Sequence, residues 1–146
     1  MKGQGRILCV DYGTVRIGIA VSDLTRTFAQ AKERIKNDCS PADLAARIAK
    51  IAGDCGASEI VIGNPVKFDG GDGRSSEDVR NLRDIITQNF SLKVILWDER
   101  FSTVSAEKTL VEANMSRKKR KDKIDSLAAV IILQNYLDFL SGSEMP

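Results

Sequence analysis

Three carboxylates, and a fourth beside one of them, stand where an acid is conspicuous. In RILCVDYGTVRIGIAVSD, residues 6–23, Asp11 closes the apolar run Ile7-Leu8-Cys9-Val10. In KVILWDER, residues 93–100, Asp98 and Glu99 close a second apolar run, and Arg100 follows them. Asp125 opens the apolar part of a helical pattern. At about 100° per residue it shares a stripe with Ala128, Ala129, Ile132, Tyr136 and Phe139. An acid on an apolar stripe is costly unless it is paired or bound to a metal. Each acid alone reads equally well as a strand-end turn residue or a helix cap. Brought together at one sheet edge, they would repel one another. A divalent cation relieves that repulsion and gains hard oxygen ligands.

The chain contains no histidine. Ser-His-Asp and Cys-His catalysis are therefore excluded, and the commonest transition-metal ligand is missing. Oxygen ligands favour Mg²⁺ or Mn²⁺. Two such ions about 4 Å apart can activate a water and stabilise the leaving oxygen in phosphodiester cleavage. Asp11, Glu99 or Asp98, and Asp125 are the expected metal ligands, with Asp11, Asp98, Glu99 and Asp125 as the catalytic set. Asp122 precedes Asp125 by nearly one helical turn. It reads as an extra ligand or as an acid at a helix start.

A basic segment lies just before Asp125. SRKKRKDK, residues 116–123, holds six basic residues and one acid. Cations at a helix start oppose the helix dipole. Phosphate contacts from Arg117, Lys118, Lys119, Arg120 and Lys121 would account for them there. A solvated loop between helices is the plain account. GNPVKFDGGDGR, residues 63–74, could offer backbone N–H groups to phosphates. It lacks GxxxxGK[ST], so it is not a Walker A loop, and a surface loop explains it as well.

The elements that must position these groups follow from patterning. Residues 6–11 and 15–22 read as strands around the tight turn Tyr12-Gly13-Thr14, with a third strand over 28–35. In KNDCSPAD, Ser40 can cap a helix, Pro41 suits its first position, and Asp43 completes a capping-box-like pattern. That helix runs to about Cys55 and stops at Gly56. EIVIG is a buried strand, a second helix spans about 76–90, and KVILW is the last strand. A third helix starts near Thr103, and a final one covers about 123–140. The order βββαβαβαα predicts a mixed five-stranded sheet with helices on its faces, in the α/β class.

The remaining bulk features are ordinary. At 146 residues, 42% hydrophobic and 29% charged, the chain reads as one globular domain over 1–146, with SGSEMP (141–146) a disordered tail. The net charge of +2 is a weak pointer to nucleic acid. Cys9, Cys39 and Cys55 show no CxxC spacing and read as reduced thiols of a cytoplasmic protein. No apolar run is long enough to span a membrane, and MKGQGR lacks the apolar core of a signal peptide.

The set DYGTVRIGIAVSD, IVIGNPVKFDGGDG, DERFST and SRKKRKDKIDSLAAVIILQNYL resembles the YqgF/RuvX family over about residues 5–141. The resemblance implies an RNase H-like fold related to RuvC resolvases, in the bacterial cytoplasm. It implies a nuclease that matures the 5′ end of 16S rRNA, with Asp11, Asp98, Glu99 and Asp125 as the motif acids and Arg100 beside them. DERFST departs from the family's DERLTT but keeps an apolar residue at Phe101 and a hydroxyl at Ser102. Asn64 stands where an apolar residue is frequent.

Three other functions are open at this level. A Holliday junction resolvase would use the same acids on branched DNA, as a dimer where the pre-rRNA enzyme could be a monomer or homodimer. A nucleic-acid-binding protein without catalysis would leave the acid set unexplained. DYGT before a hairpin also resembles the phosphate loop of actin- and Hsp70-like ATPases, which need two large lobes that this chain is too short to build.

Overall fold

The computed structural model describes residues 5–13, 15–64, 74–98 and 117–142, and the side chains of 74, 75 and 117–126 lie outside that description. Eight elements follow in order: β1 (Arg6–Asp11), β2 (Arg16–Ser22), β3 (Ala29–Lys36), α1 (Pro41–Asp54), β4 (Ala57–Asn64), α2 (Arg74–Asn89), β5 (Lys93–Asp98) and α3 (Arg117–Ser141). The strands form one sheet in the order β3-β2-β1-β4-β5. β1 pairs antiparallel with β2, and β2 with β3, while β4 joins β1 and β5 in parallel. This is the mixed five-stranded sheet that the patterning predicts. The helix expected near Thr103 falls outside the described residues. Among the described residues, no helix is long and apolar enough to cross a membrane.

Two cores sandwich the sheet. On one side Leu8, Val10, Ile17, Ile19, Ile60 and Ile62 pack against Leu44 and Ile48 of α1 and Val79, Leu82 and Ile86 of α2. On the other, Ile7, Cys9, Ala20 and Val61 pack against Ala129, Ile132, Leu133, Tyr136 and Leu137 of α3. β1 is thus buried on both faces, which is why its sequence is an unbroken apolar run. β3 is an edge strand whose interior is exposed except at Ile35. Its Lys32, Glu33 and Arg34 discourage pairing with another chain.

α1 starts as its sequence requires. The Ser40 side chain accepts from the Asp43 N–H at 3.1 Å, and Pro41 occupies the first turn. The start of α3 differs from expectation. Residues 117–122, read from sequence as a loop or a helix start, are helical backbone, because Arg and Lys are good helix formers and no breaker separates them from Asp125. The end of α3 also differs. Ser141 is helical, and Gly142 closes the helix at φ +75° with its N–H donating to the Phe139 carbonyl at 3.1 Å. Order therefore extends past the expected start of the tail. Phe139, expected on the buried stripe, is 60% exposed and lies tilted against Trp97.

Candidate active site

Asp11 is held by a strand whose interior is buried on both faces. It follows Val10, which pairs with Ile19 of β2 and Ile62 of β4, and it pairs with Gly18. Side chains alternate along a strand. Leu8 and Val10 face α1 and α2, whereas Ile7 and Cys9 face α3. Asp11 therefore stands on the α3 face. The turn beyond it is braced. A Cβ on Gly13 would collide with the Arg16 carbonyl oxygen, so only glycine fits there. Asn37 Nδ2 donates to the Gly13 carbonyl at 2.8 Å, and the Asn37 N–H donates to the Val15 carbonyl at 2.9 Å.

The ends of β4 and β5 reach the same sheet edge. Asn64 is in register with Asp98. Ser76 Oγ of α2 donates to Asn64 Oδ1 at 2.8 Å, which fixes Asn64 on the α1/α2 side. Val94 and Leu96 also face that side, while Ile95 and Trp97 face α3. The alternation places Asp98 with Asn64, on the face opposite Asp11. Glu99 and Arg100 lie outside the described residues.

α3 is pinned at the other edge of the sheet. Tyr136 Oη donates to Glu59 Oε2 at 2.7 Å. Gln134 Nε2 donates to the Thr27 carbonyl at 2.9 Å, and Gln134 Oε1 accepts from the Ala29 N–H at 3.0 Å. Glu59 is in register with Ile7 at the start of β1. From Tyr136 back to position 125 the helix rises about 16 Å. From Ile7 to Asp11 the strand advances about 13 Å. Ala129, one turn after position 125, is buried in the same core as Ile7 and Cys9, so α3 runs back over the face on which Asp11 stands. The side chains of Asp122, Asp125 and the run Arg117, Lys118, Lys119, Arg120 and Lys121 are outside the description. Among the described residues, no three acidic, cysteine or histidine side chains gather at one point.

Two ordered acids escaped the sequence reading, and both are structural. Glu59 is 6% exposed and receives Tyr136 Oη and, at 3.5 Å, Arg26 Nη1. Arg26 also donates from Nε to the Gly5 carbonyl at 2.8 Å and from Nη2 to Ser58 Oγ at 3.2 Å. Burial first, and then the hydrogen bond to the Glu59 carboxylate, push the Tyr136 hydroxyl well above the usual tyrosine range. The available signal was an acid set directly against the apolar run IVIG. Asp23 organises the turn between β2 and β3. It accepts from the Phe28 N–H at 3.0 Å, from the Thr25 hydroxyl and from the Thr27 N–H at 2.8 Å. These bonds, that from Phe28 foremost, hold its carboxyl down at about 2.

A 3-2-1-4-5 mixed sheet with an acid at the exit of its central strand, two helices on one face and the C-terminal helix on the other, defines an RNase H-like α/β protein. T. thermophilus RuvC in complex with Holliday junction substrate has the same fold, with a TM-score of 0.61 at 12% identity, covering 94% of this chain and 96% of that one. Residues 5–139 match the family described as "RuvX: Holliday junction resolvase", and the chain belongs to that family. It is 44% identical over 136 residues to a "Putative pre-16S rRNA nuclease" of Clostridium perfringens, covering 93% of this chain and 98% of the relative. A Bacillus pumilus protein of the same name is 42% identical over 137 residues, covering 93% and 99%.

Proposed function

We propose that this chain is a single-domain, divalent-metal-dependent nuclease that cuts a phosphodiester in the 5′ region of pre-16S rRNA in the cytoplasm. The observation that carries the reading is Asp11. It stands at the rigid end of a strand buried on both faces, on the face that α3 covers. A metal ligand needs sub-ångström placement, and a buried strand supplies it. Asp11, Glu99 and Asp125 would hold the ion. This all-oxygen donor set, in a chain without histidine, suits Mg²⁺ or Mn²⁺. When bound, the ion supplies Lewis acidity toward a phosphodiester oxygen and lowers the pKa of a coordinated water. Arg100 and the run Arg117, Lys118, Lys119, Arg120 and Lys121 would hold flanking phosphates. Asp98 is left out of the metal set, because it stands on the other face of the sheet. The substrate follows the names of the relatives.

A branched-DNA reading is favoured by the description of the matching family, and it requires two sites paired across a junction. One substrate panel tests both readings. Wild type and Asp11→Asn are incubated with an RNA carrying the 5′ leader of 16S rRNA and with a four-way DNA junction, in EDTA and in Mg²⁺. Cleavage of the RNA that requires Mg²⁺ and is abolished by Asp11→Asn is the expected result. Cleavage of the junction alone, by a dimer, would assign the resolvase activity instead. An Asp11→Asn protein as active as wild type would overturn the site.

A further inference from the structure

The sheet carries a row of cations on the same face as Asp11. Paired residues of neighbouring strands share a face. Asp11 is paired with Gly18, and Gly18 with Arg34, while Arg16 is paired with Lys36. Ile17, Ile19 and Ile35 face α1 and α2. Gly18 and its i−2 neighbour Arg16 therefore face the α3 side, and so do Arg34 and Lys36. All three cations are exposed. Arg34 stands two strands from Asp11, about 10 Å across the sheet, and the Arg16–Lys36 pair lies about 7 Å further along the strands. Glu33 pairs with Ile19 and so belongs to the opposite face. Asp38, beyond the end of β3, has its carboxylate within 3.9 Å of Arg47.

We infer that Arg16, Arg34 and Lys36 form a track for the sugar-phosphate backbone of the RNA, leading from Asp11 across the free edge of the sheet. The inference rests on the nuclease reading above for the identity of the polyanion. The physical need is clear. A cluster of carboxylates repels a phosphate chain until its metal is in place. Fixed cations at the same edge and on the same face offset that repulsion and set the direction in which the strand leaves. Among the described residues β3 has no neighbour on its outer side, and α3, which packs on β2 and β3 on this face, leaves Arg16, Arg34 and Lys36 exposed. Contacts of this kind position the strand and carry no base identity.

The test is equilibrium binding of a fluorescein-labelled RNA bearing the 16S 5′ leader, measured by anisotropy in EDTA over a range of KCl. The proteins are wild type, the track variant Arg16→Gln/Arg34→Gln/Lys36→Gln, and a control variant, Lys50→Gln/Arg83→Gln/Lys93→Gln, with the same charge loss on α1, α2 and the start of β5. Each phosphate contact on a single strand contributes about 0.7 to the slope of log affinity against log salt, so the track variant should lose roughly 2 in slope. Its affinity at low salt falls by more than tenfold, and the control keeps the wild-type slope. An unchanged slope in the track variant overturns the inference. An equal loss in the control does so too, because it would report net charge alone. A loss seen only with a four-way DNA junction overturns the assignment to RNA. Binding is read without metal. Failure of the track is therefore distinct from failure of the nuclease reading, which shows as absent Mg²⁺-dependent cleavage by wild type.

Discussion

Asp98 and Glu99 are neighbours in sequence, and strand geometry assigns a face to the first of them. The period of two puts Asp98 on the side of Asn64, facing α1 and α2, whereas Asp11 faces α3. Only one of two successive acids can serve a site on one face of a strand end. Asp98→Asn should keep its cleavage rate within the roughly 10–100-fold loss typical of groups that merely support a ligand, while Glu99→Gln should exceed that loss. Single-turnover rates for the two variants decide it, and a reversed order would place the site on the α1/α2 side. Asp23 poses a separate question at the same scale. Its carboxyl is held at about 2 by the Phe28, Thr25 and Thr27 bonds, below its ordinary 3.8. A group lowered on folding adds stability above its unfolded pKa and loses it as pH falls through the folded value. Asp23→Asn keeps an acceptor but no charge. The melting temperature of wild type should exceed that of the variant at pH 5, and the gap should close between about pH 4 and pH 2. A gap that does not change over this range would show that the charge is immaterial.

Among the elements, α3 matters most, because it covers the face of the sheet on which Asp11 stands and carries Asp125. Its end is tied by Gln134 to the β2–β3 turn and by Tyr136 to Glu59. Arg26 completes the second tie from a left-handed conformation, φ +58°, that few non-glycine residues adopt. Tyr136→Phe removes the donor and leaves a buried carboxylate with one fewer partner. The expected cost is about 1–3 kcal/mol in chemical denaturation. Cleavage at saturating substrate should stay near wild type, since Glu59 sits at the sheet edge away from Asp11. A loss of activity without loss of stability would instead make α3's tilt part of the catalytic geometry.

For the whole molecule, the acid cluster proposed at one edge predicts a trade between stability and function. If Asp11, Glu99 and Asp125 converge there, their carboxylates repel in EDTA, and Asp11→Asn should raise the melting temperature. In Mg²⁺ the order should reverse, because an ion that binds the folded chain stabilises it by mass action and the variant binds it less well. Thermal melts of both proteins with and without Mg²⁺ measure this. Identical responses to Mg²⁺ would show that Asp11 holds no ion.

The sequence by itself determined the order of the eight described elements, the mixed sheet and the strand exit that carries Asp11. These are local properties: an apolar run buried on both faces, the Ser40-Pro41 helix start, and the turn that only Gly13 allows. It also carried the family, through motifs at fixed spacing. Local patterning misjudged where α3 begins and ends, since the basic run 117–121 is as compatible with helix as with loop. The tertiary structure alone decided which face each strand-end residue occupies. Face depends on pairing register, and register depends on partners far apart in the chain. That is how Asp98 was separated from Asp11, and how Arg16, Arg34 and Lys36, unremarkable in sequence, came to stand in a row beside it. Glu59 was beyond sequence for the same reason, because its partners Arg26 and Tyr136 reach it only when α3 closes over the sheet.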